Sequence, residues 1–368
     1  MKFLKIIFSI SLLPEKKKIL LFDTNSIEIM HNINEPFNIL YTRGEKFYLW
    51  PMLKTLLKFN FSLLGYYKEA IYLLDPKLII TTIDNDVIFY NLKKYFKNKI
   101  FISHQNGHRT KHRSFFFDLL KEKKNFYETD YCFFFNRNIS DLYKKYIKSK
   151  NIISGSFRNN NIPIIRKKQK RITFISQFRN GTPYYKSIIK NKKFNKDFWT
   201  EYKVLPLLNE FCKNNKIKLF VLGCSKKNEY LEKNFYDSIL FKENYSFIYN
   251  KKNKDNYKLL DESQLVVFID STLGYESIGR HNKTVSLSSR CILKNKKEIF
   301  LWPKRNNLVD TPINCSNLKN KKKLFKFIKK NYDQKREKWV YENLFYIRNS
   351  MDYVANNQKL KEIINRNL

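Results

Sequence analysis

The stretch "FIDSTLGYESIGR", residues 268–280, decides the fold. Its apolar start continues "LVVFIDS" (265–271), a run that reads as a buried strand. The chain then turns through Ser271, Thr272, Leu273 and Gly274 into a helix carrying Glu276 and Arg280. A strand that turns directly into a helix is half of a βαβ unit and predicts a parallel sheet. Such a turn aims backbone amides and the positive end of a helix dipole at one point, which suits a phosphate. The competing reading is local: Ser271 or Thr272 caps the helix, and Glu276 is the acid of a capping box. On spacing alone both readings stand.

Working outward, the same alternation recurs along the chain. In the first half, residues 17–23, 37–42, 77–84, 99–105 and 131–136 are short β-branched or aromatic runs ended by polar residues, with one more strand in 151–159. Residues 48–74, 86–96 and 139–148 have helical apolar spacing. "NNIPIIRKKQK" (160–170) has Asn, Pro and a basic cluster without periodicity and reads as a linker. The pattern restarts with strands at 171–178, 217–224, 265–271 and 284–289 and helices at 197–215 and 256–264. The expected organisation is an N-terminal domain (1–160), a linker (161–170), a C-terminal domain (171–335) and a helical tail (336–368). Two α/β halves predict two Rossmann-like domains facing across a cleft, with ligands outside the carboxyl ends of the strands.

Composition narrows the class. A chain of 368 residues with 43% hydrophobic and 16% aromatic content holds real cores and suits two domains. Its net charge of +39 suggests nucleic acid or an anionic membrane surface. Enrichment in Lys, Asn, Ile, Phe and Tyr with only eight Gly is also what AT-rich codon usage produces, and the lysines are spread through every segment without forming one stripe. Five cysteines without a CxxC pair support neither a disulfide framework nor a zinc ribbon, which predicts a reducing, cytoplasmic setting. The start "MKFLKIIFSISLLPEKKKILLF" reads as a retained element leading into the first strand, with a membrane-surface anchor as the alternative. No run of about 18 apolar residues predicts a bilayer span.

Candidate chemistry sits at strand ends. Asp84, Asn85 and Asp86 follow strand 77–84, where a carboxylate suits a general base and where Asn or Asp equally suits a helix cap. "SHQNGHRTKH" spaces His104, His108 and His112 by four, as on one helix face, but Asn106-Gly107 marks a turn and Arg109, Lys111 and Arg113 oppose a cation. That segment reads as a cleft loop, with His104 a second candidate base and Gln105, Asn106 and Gly107 contacting donor or acceptor. Ser176, Gln177 and Arg179 end the first strand of the second half, and Arg179 suits a phosphate. Gly223 either admits a nucleotide to the backbone or marks a strand end. The basic helix 321–339 carries Leu324, Phe325, Ile328 and Tyr332 on one face, a pattern that packs on a domain or lies on an anionic membrane. The chain lacks GxxxxGK[ST], HExxH, GxSxG and GxGxxG patterns, which argues against the enzyme classes they mark.

"DSTLGYESIGR", preceded by "LLDESQLVV", resembles the donor-site turn of GT-B glycosyltransferases and of the related glycerophosphotransferases of wall-polymer synthesis. Together with "YTRGEKFYL" (41–49), "TTIDNDVIFYNL" (81–92), "FISHQNGHR" (101–109) and "ITFISQFR" (172–179), it resembles a family of bacterial surface-carbohydrate or O-antigen biosynthesis proteins, over about residues 18–345. The resemblance implies donor contacts from Ser271, Thr272, Gly274 and Glu276; the charge of Arg179 or Arg280 suits the leaving diphosphate beside them. The resemblance implies a glycosyltransferase moving a sugar from a nucleotide sugar to a glycan or lipid-linked glycan, for which the strand-end residues offer Asp84, Asp86 or His104 as base. No metal or other cofactor is required of it, and its place is the cytoplasm, with contact to the inner membrane face left open. The alternatives are a CDP-polyol phosphotransferase, a nucleotide-sugar epimerase, a basic nucleic-acid-binding protein and a surface-polymer assembly protein.

Overall fold

Parallel strands buried on both faces read as unbroken apolar runs, and ILLF at 19–22 and LIIT at 78–81 are buried at every position. They lie at the centre of the first of two six-stranded sheets. The computed structural model describes residues 10–30, 33–109, 127–167, 169–178, 199–224, 229–240, 245–250, 253–288, 300–301 and 310–368. Arg179, His112 and Cys291 lie outside the described residues, as does the start of the N-terminal apolar run.

The described residues of Met1–Gly107, Ser114–Asn161 and Val354–Leu368 form one unit, and those of His108–Arg113 and Ile162–Tyr353 form another. In the first, a two-residue strand β1 (Ile10–Ser11) pairs with β4 (Phe47–Tyr48). The main sheet contains β2 (Ile19–Phe22), β3 (Phe37–Leu40), β5 (Leu78–Thr81), β6 (Ile100–His104), β7 (Tyr127–Phe134) and β8 (Ile147–Ile153). Their spatial order is β3-β2-β5-β6-β7-β8, all parallel. The order reverses between β2 and β5, which makes that gap the topological switch point.

The second unit carries β9 (Gln169–Ile175), β10 (Lys218–Leu222), β11 (Ser246–Ile248), β12 (Ser263–Phe268), β13 (Thr284–Leu287) and β14 (Asn314–Cys315). Their order is β11-β10-β9-β12-β13-β14, again all parallel. Renumbered within the unit this is 3-2-1-4-5-6, the Rossmann order, with its switch point between β9 and β12. Both halves are therefore Rossmann-like.

Three local expectations differ from the fold. The periodicity over 48–74 predicts one helix, but α1 (Leu49–Leu57) and α2 (Leu63–Leu74) are separate. The amide of Phe59 donates to Leu56 O (2.9 Å) and that of Asn60 to Thr55 O (3.1 Å), a Schellman end with Phe59 in the left-handed region (φ 51°). Ser62 then caps α2, its Oγ accepting from the Gly65 amide at 3.0 Å. Second, the helix expected over 139–148 stops at Tyr143, because Ile147–Ile153 pairs along β7. That pairing is long-range and leaves no trace in local spacing. Third, the tail from 336 is not one piece. The helix Arg336–Ser350 buries Trp339 and Ile347 in the second unit, whereas Gln358–Asn367 places Leu360, Ile363 and Ile364 in the first unit's core beside Ile19, Leu21, Ile80 and Ile102. In the basic helix Lys321–Asp333, Leu324 and Ile328 are buried, so this apolar face packs on its own unit.

The second unit is tied together by a buried ion pair. Arg280 and Asp261 are both fully buried, and Arg280 Nε and Nη2 lie 2.9 and 2.5 Å from the two Asp261 oxygens. Arg280 also donates to Ile162 O (2.9 Å) and Pro163 O (2.8 Å), while Asp261 accepts from Asn282 Nδ2 (2.8 Å) and the Ile165 amide (2.9 Å). Removing one partner of such a pair leaves the other buried and uncompensated, at about 3–5 kcal/mol. Arg280→Met is expected to lower the stability of the second unit by about that amount in denaturant titrations. A loss below about 1 kcal/mol would remove this ion pair from its structural role.

Candidate functional site

In the second unit, polar residues collect where β9, β10 and β12 end. Ser176, just past β9, is buried and contacts Glu232, and its Oγ accepts from the Phe178 amide at 3.1 Å. The Tyr236 hydroxyl lies 2.7 Å from Ser176 Oγ and 2.8 Å from Glu201 Oε1, and Glu232 accepts from the Cys224 amide at 2.8 Å. Burial, with the charge of Glu201 next, holds the Tyr236 hydroxyl well above its usual pKa, so it stays protonated and able to donate. Gln177 spans the switch point: its Nε2 contacts the Asp270 carboxylate, and its Oε1 accepts from the Asp270 amide at 3.2 Å. Gly223 ends β10, where a Cβ would come within 2.9 Å of the Phe247 ring and 3.2 Å of Glu232 Oε2. The close approach this glycine allows is thus to the protein's own side chains.

One residue past Asp270 begins the turn. Ser271 takes the N-cap position of the helix Thr272–Gly279 introduced by that turn, but its side chain makes no capping hydrogen bond. Glu276 lies two positions beyond the capping-box site, which Gly274 occupies, so the reciprocal capping pair is not built. Instead Thr272 Oγ1 accepts from the His108 amide at 2.9 Å, and the His108 ring stacks on Tyr275 with centroids 3.8 Å apart. Gly274 is needed for packing, since a Cβ there would come within 2.2 Å of the Phe268 ring, and its amide donates to Ser271 O (3.0 Å). Glu276 is buried one turn along. Arg280 closes the far end of the helix in its pair with Asp261, which puts its guanidinium to work inside the unit and away from the turn.

In the first unit, Asp84 and the 104–107 loop form a second constellation. Asp84 is buried, with Oδ2 accepting from the Tyr143 hydroxyl (2.6 Å) and Oδ1 from the Asn106 amide (3.3 Å). Gln105 is spent on the backbone: Oε1 accepts from the Phe135 amide (3.0 Å) and Nε2 donates to Gly107 O (2.8 Å). Asn85 is exposed. Asp86 caps the helix Val87–Lys93, accepting from the Ile88 amide at 2.9 Å. Burial raises the Asp86 pKa against the pull of the Ile88 and Phe89 amides, and the neighbouring Asp23 charge raises it further. His104 is buried, flat against Phe133 and edge-on to Phe157, with Nδ1 2.9 Å from Gln105 O and Nε2 3.4 Å from Ser154 Oγ. A carbonyl partner requires a proton on Nδ1 and leaves the lone pair on Nε2. Burial lowers the His104 pKa to about 4, so the ring is neutral at pH 7.

Sequence reading missed Asp23, a buried residue at φ 87° just past β2, at the first unit's switch point. It accepts from Thr42 Oγ1 (2.6 Å) and the Asn25 amide (2.7 Å) and pairs with Arg43 (3.0 Å). Its signal was available, since it ends the run "KKILLFD" (17–23) just as Asp84 ends 77–84. Glu201, Glu232 and Tyr236 had no comparable signal, because they come from helices and meet Ser176 and Gln177 only in the fold. Among the described residues no group of three or more His, Cys, Asp or Glu is placed to hold a metal ion.

A histidine whose folded pKa is depressed contributes stability above its unfolded pKa, near 6.5, and loses it as pH falls toward about 4. The loss for His104 amounts to at most about 3 kcal/mol. Denaturation midpoints measured from pH 7 to 4.5 are expected to fall more steeply for the wild type than for His104→Phe. Parallel pH profiles would show that His104 does not titrate with unfolding.

The chain shares its fold with UDP-GlcNAc 2-epimerase of Methanocaldococcus jannaschii in complex with UDP-GlcNAc and UDP (TM-score 0.53, 12% identity, 95% of this chain and 99% of that one). It is similar to the spinosyn rhamnosyltransferase SpnG (TM-score 0.51, 8% identity, 94% and 100%) and to the wall teichoic acid polymerase TagF (TM-score 0.50, 14% identity, 96% and 89%). These likenesses establish a GT-B-type fold of two Rossmann-like units. No curated protein matches the sequence. A family model described as "putative O-antigen biosynthesis protein" matches residues 100–368. That match takes in the 104–107 loop, the whole second sheet and the turn at 271–274, and with well over half of its length covered, the chain belongs to this O-antigen biosynthesis family.

Proposed function

We propose that the protein is a glycosyltransferase of surface-polysaccharide synthesis, with the second unit holding a nucleotide-sugar donor and the first serving the acceptor. The observation that carries this reading is the turn at Ser271–Thr272. It stands at the carboxyl end of β12, next to the switch point of a sheet in Rossmann order, and leads into a helix whose N-cap hydroxyl is not used for capping. A diphosphate at this turn meets the positive end of that helix's dipole and the hydroxyls of Ser271 and Thr272. The buried set Ser176, Glu201, Glu232 and Tyr236 stiffens the β9 and β10 exits beside it, and Gln177 fixes the backbone at Asp270. Glu276 is the residue proposed to reach the ribose. UDP-GlcNAc and UDP are bound by the epimerase that shares this fold, which supports a nucleotide sugar as donor here.

Of the three candidate bases, Asp86 suits the chemistry best. Asp84 and His104 are buried and engaged, whereas Asp86 is half-buried and carries a raised pKa, which makes its carboxylate a stronger base. In this mechanism the Asp86 carboxylate takes the acceptor hydroxyl proton as that oxygen attacks the anomeric carbon. The bond from carbon to the diphosphate oxygen breaks, and the amides and hydroxyls of the turn receive the developing negative charge.

A ligand that binds the native state raises its melting temperature. UDP or a UDP-sugar is expected to raise the melting temperature of the wild type, and Ser271→Ala, which removes no capping hydrogen bond, is expected to weaken donor affinity about tenfold at unchanged intrinsic stability. Unchanged affinity in both Ser271→Ala and Glu276→Ala would overturn the donor assignment.

Asp86→Asn separates catalysis from capping, since Asn caps as well as Asp. It is expected to lower transfer by about a hundredfold or more with no loss of melting temperature. Wild-type activity is expected to fall as pH drops through the raised Asp86 pKa, because the base must be ionised. Full activity in Asp86→Asn would exclude it as the base, and turnover of nucleotide sugar without any acceptor would replace transfer with epimerisation or hydrolysis.

A further inference from the structure

Helix α1 and the turn that joins it to α2 present apolar residues outward, while α2 buries Tyr66, Tyr67, Ala70, Ile71 and Leu74. Among the nine residues of α1 only Pro51 and Thr55 are buried, while Trp50, Leu53, Leu56 and Leu57 are exposed, with Trp50, Leu53 and Leu57 at the spacing of one helix face. The connecting turn adds Phe59, Phe61 and Leu63, so that Leu57, Phe59 and Phe61 are 79%, 86% and 78% exposed. Seven large apolar side chains within fourteen residues, all exposed, form a patch of the kind that marks an interaction surface. The turn is built to hold them out. Its Schellman end needs a left-handed residue, normally Gly, and Phe59 occupies that place. Asn60 closes the turn, its Oδ1 accepting from Ser62 Oγ at 2.6 Å and its amide group packed so closely on Gly65 that a Cβ there would come within 2.6 Å.

Charge says what covers this patch. Between Lys46 and Leu74 there are four lysines, Lys46, Lys54, Lys58 and Lys68, against one acid, Glu69, which pairs with Lys58. Lys54 lies over the exposed Tyr72 ring and Lys68 over the exposed Tyr95 ring at 3.7 Å from its centroid. Exposed apolar residues combined with tyrosine and tryptophan rings and lysines are the side chains that settle together at a bilayer surface, the apolar ones toward the acyl chains, the rings at the interface and the lysines at anionic headgroups. Among the described residues no helix is long and apolar enough to cross a membrane, so the contact is interfacial.

We propose that residues 50–63 are a membrane-docking hairpin that inserts its tip into the interface of an anionic phospholipid bilayer. Leu57, Phe59 and Phe61 enter the acyl boundary, and Lys54 and Lys58 meet the phosphates. The proposal is independent of the donor reading, because its test measures binding and not turnover.

The test is flotation of the full chain with vesicles of phosphatidylcholine containing about a third phosphatidylglycerol, at about 0.15 M salt. The wild type is expected to float, and a Phe59→Trp variant is expected to emit at shorter wavelength and to be quenched by brominated acyl chains. The double variant Leu57→Ser with Phe59→Gly is expected to lose about tenfold or more in partitioning. Phe59→Gly relieves the left-handed strain, so the variant is expected to melt no lower than Leu57→Ser alone, which sets partitioning apart from folding. Equal flotation of wild type and double variant would show adsorption by overall charge alone and overturn the proposal. So would a Phe59→Trp variant whose emission brominated chains leave unquenched, or self-association of the wild type in sedimentation velocity that the double variant abolishes without changing flotation, which would assign the patch to a second copy of the chain.

Discussion

The Asp261–Arg280 ion pair holds the second unit in register. Asp261 sits near the end of the helix Asn253–Glu262, Arg280 follows the helix Thr272–Gly279, Asn282 leads into β13, and Ile162, Pro163 and Ile165 belong to the segment that enters the unit. A fully buried pair is tolerable only when its remaining lone pairs and protons are satisfied, and here backbone carbonyls, a backbone amide and an asparagine do so. One electrostatic contact thus fixes where the helix behind the Ser271–Thr272 turn ends, and with it the direction in which its N-terminus points.

At the other end of that helix the design is reversed. Where Arg280 is enclosed by partners, the Ser271 hydroxyl makes no bond to its helix, and the hydrogen-bonding effort goes into the layer behind it. Ser176, Tyr236, Glu201 and Glu232 are linked below the strand ends, and Gln177 bridges β9 to β12 across the switch point. The first unit repeats the scheme with Asp84 and Tyr143 bonded to each other and to the 104–107 loop through the Asn106 amide, while Asp86 is only half-buried.

Much of this was legible because strand ends announce themselves. Apolar runs closed by polar residues at 17–23, 77–84, 99–105 and 265–271 located the carboxyl edges of both sheets, and Asp84, His104, Gln177 and Ser271 follow from that rule alone. What each of them does was not legible. The resemblance puts Gly274 among the donor contacts and Gly223 reads as an opening for a nucleotide or as a strand end, but a Cβ at these positions would meet Phe268 and Phe247. Arg280 was a candidate partner of the diphosphate, yet the length of the helix Thr272–Gly279 separates it from the turn. Helix 48–74 read as a single amphipathic element, since periodicity reports an apolar face without saying whether protein covers it.

The sequence by itself determined the class of the protein: parallel sheets in two successive halves, and a turn at 271–274 that likens it to enzymes of surface-glycan synthesis. These follow from local spacing, because strand, turn and helix signals span only a few residues each. Tertiary structure alone decided strand order, the membership of the final helix in the first unit, the burial of Arg280 against Asp261, and the outward face of Trp50, Leu57 and Phe59. Each depends on which residues meet across 18 or more positions of chain, or on which stay exposed, and the free energy of those encounters is set by desolvation and packing that no local window contains.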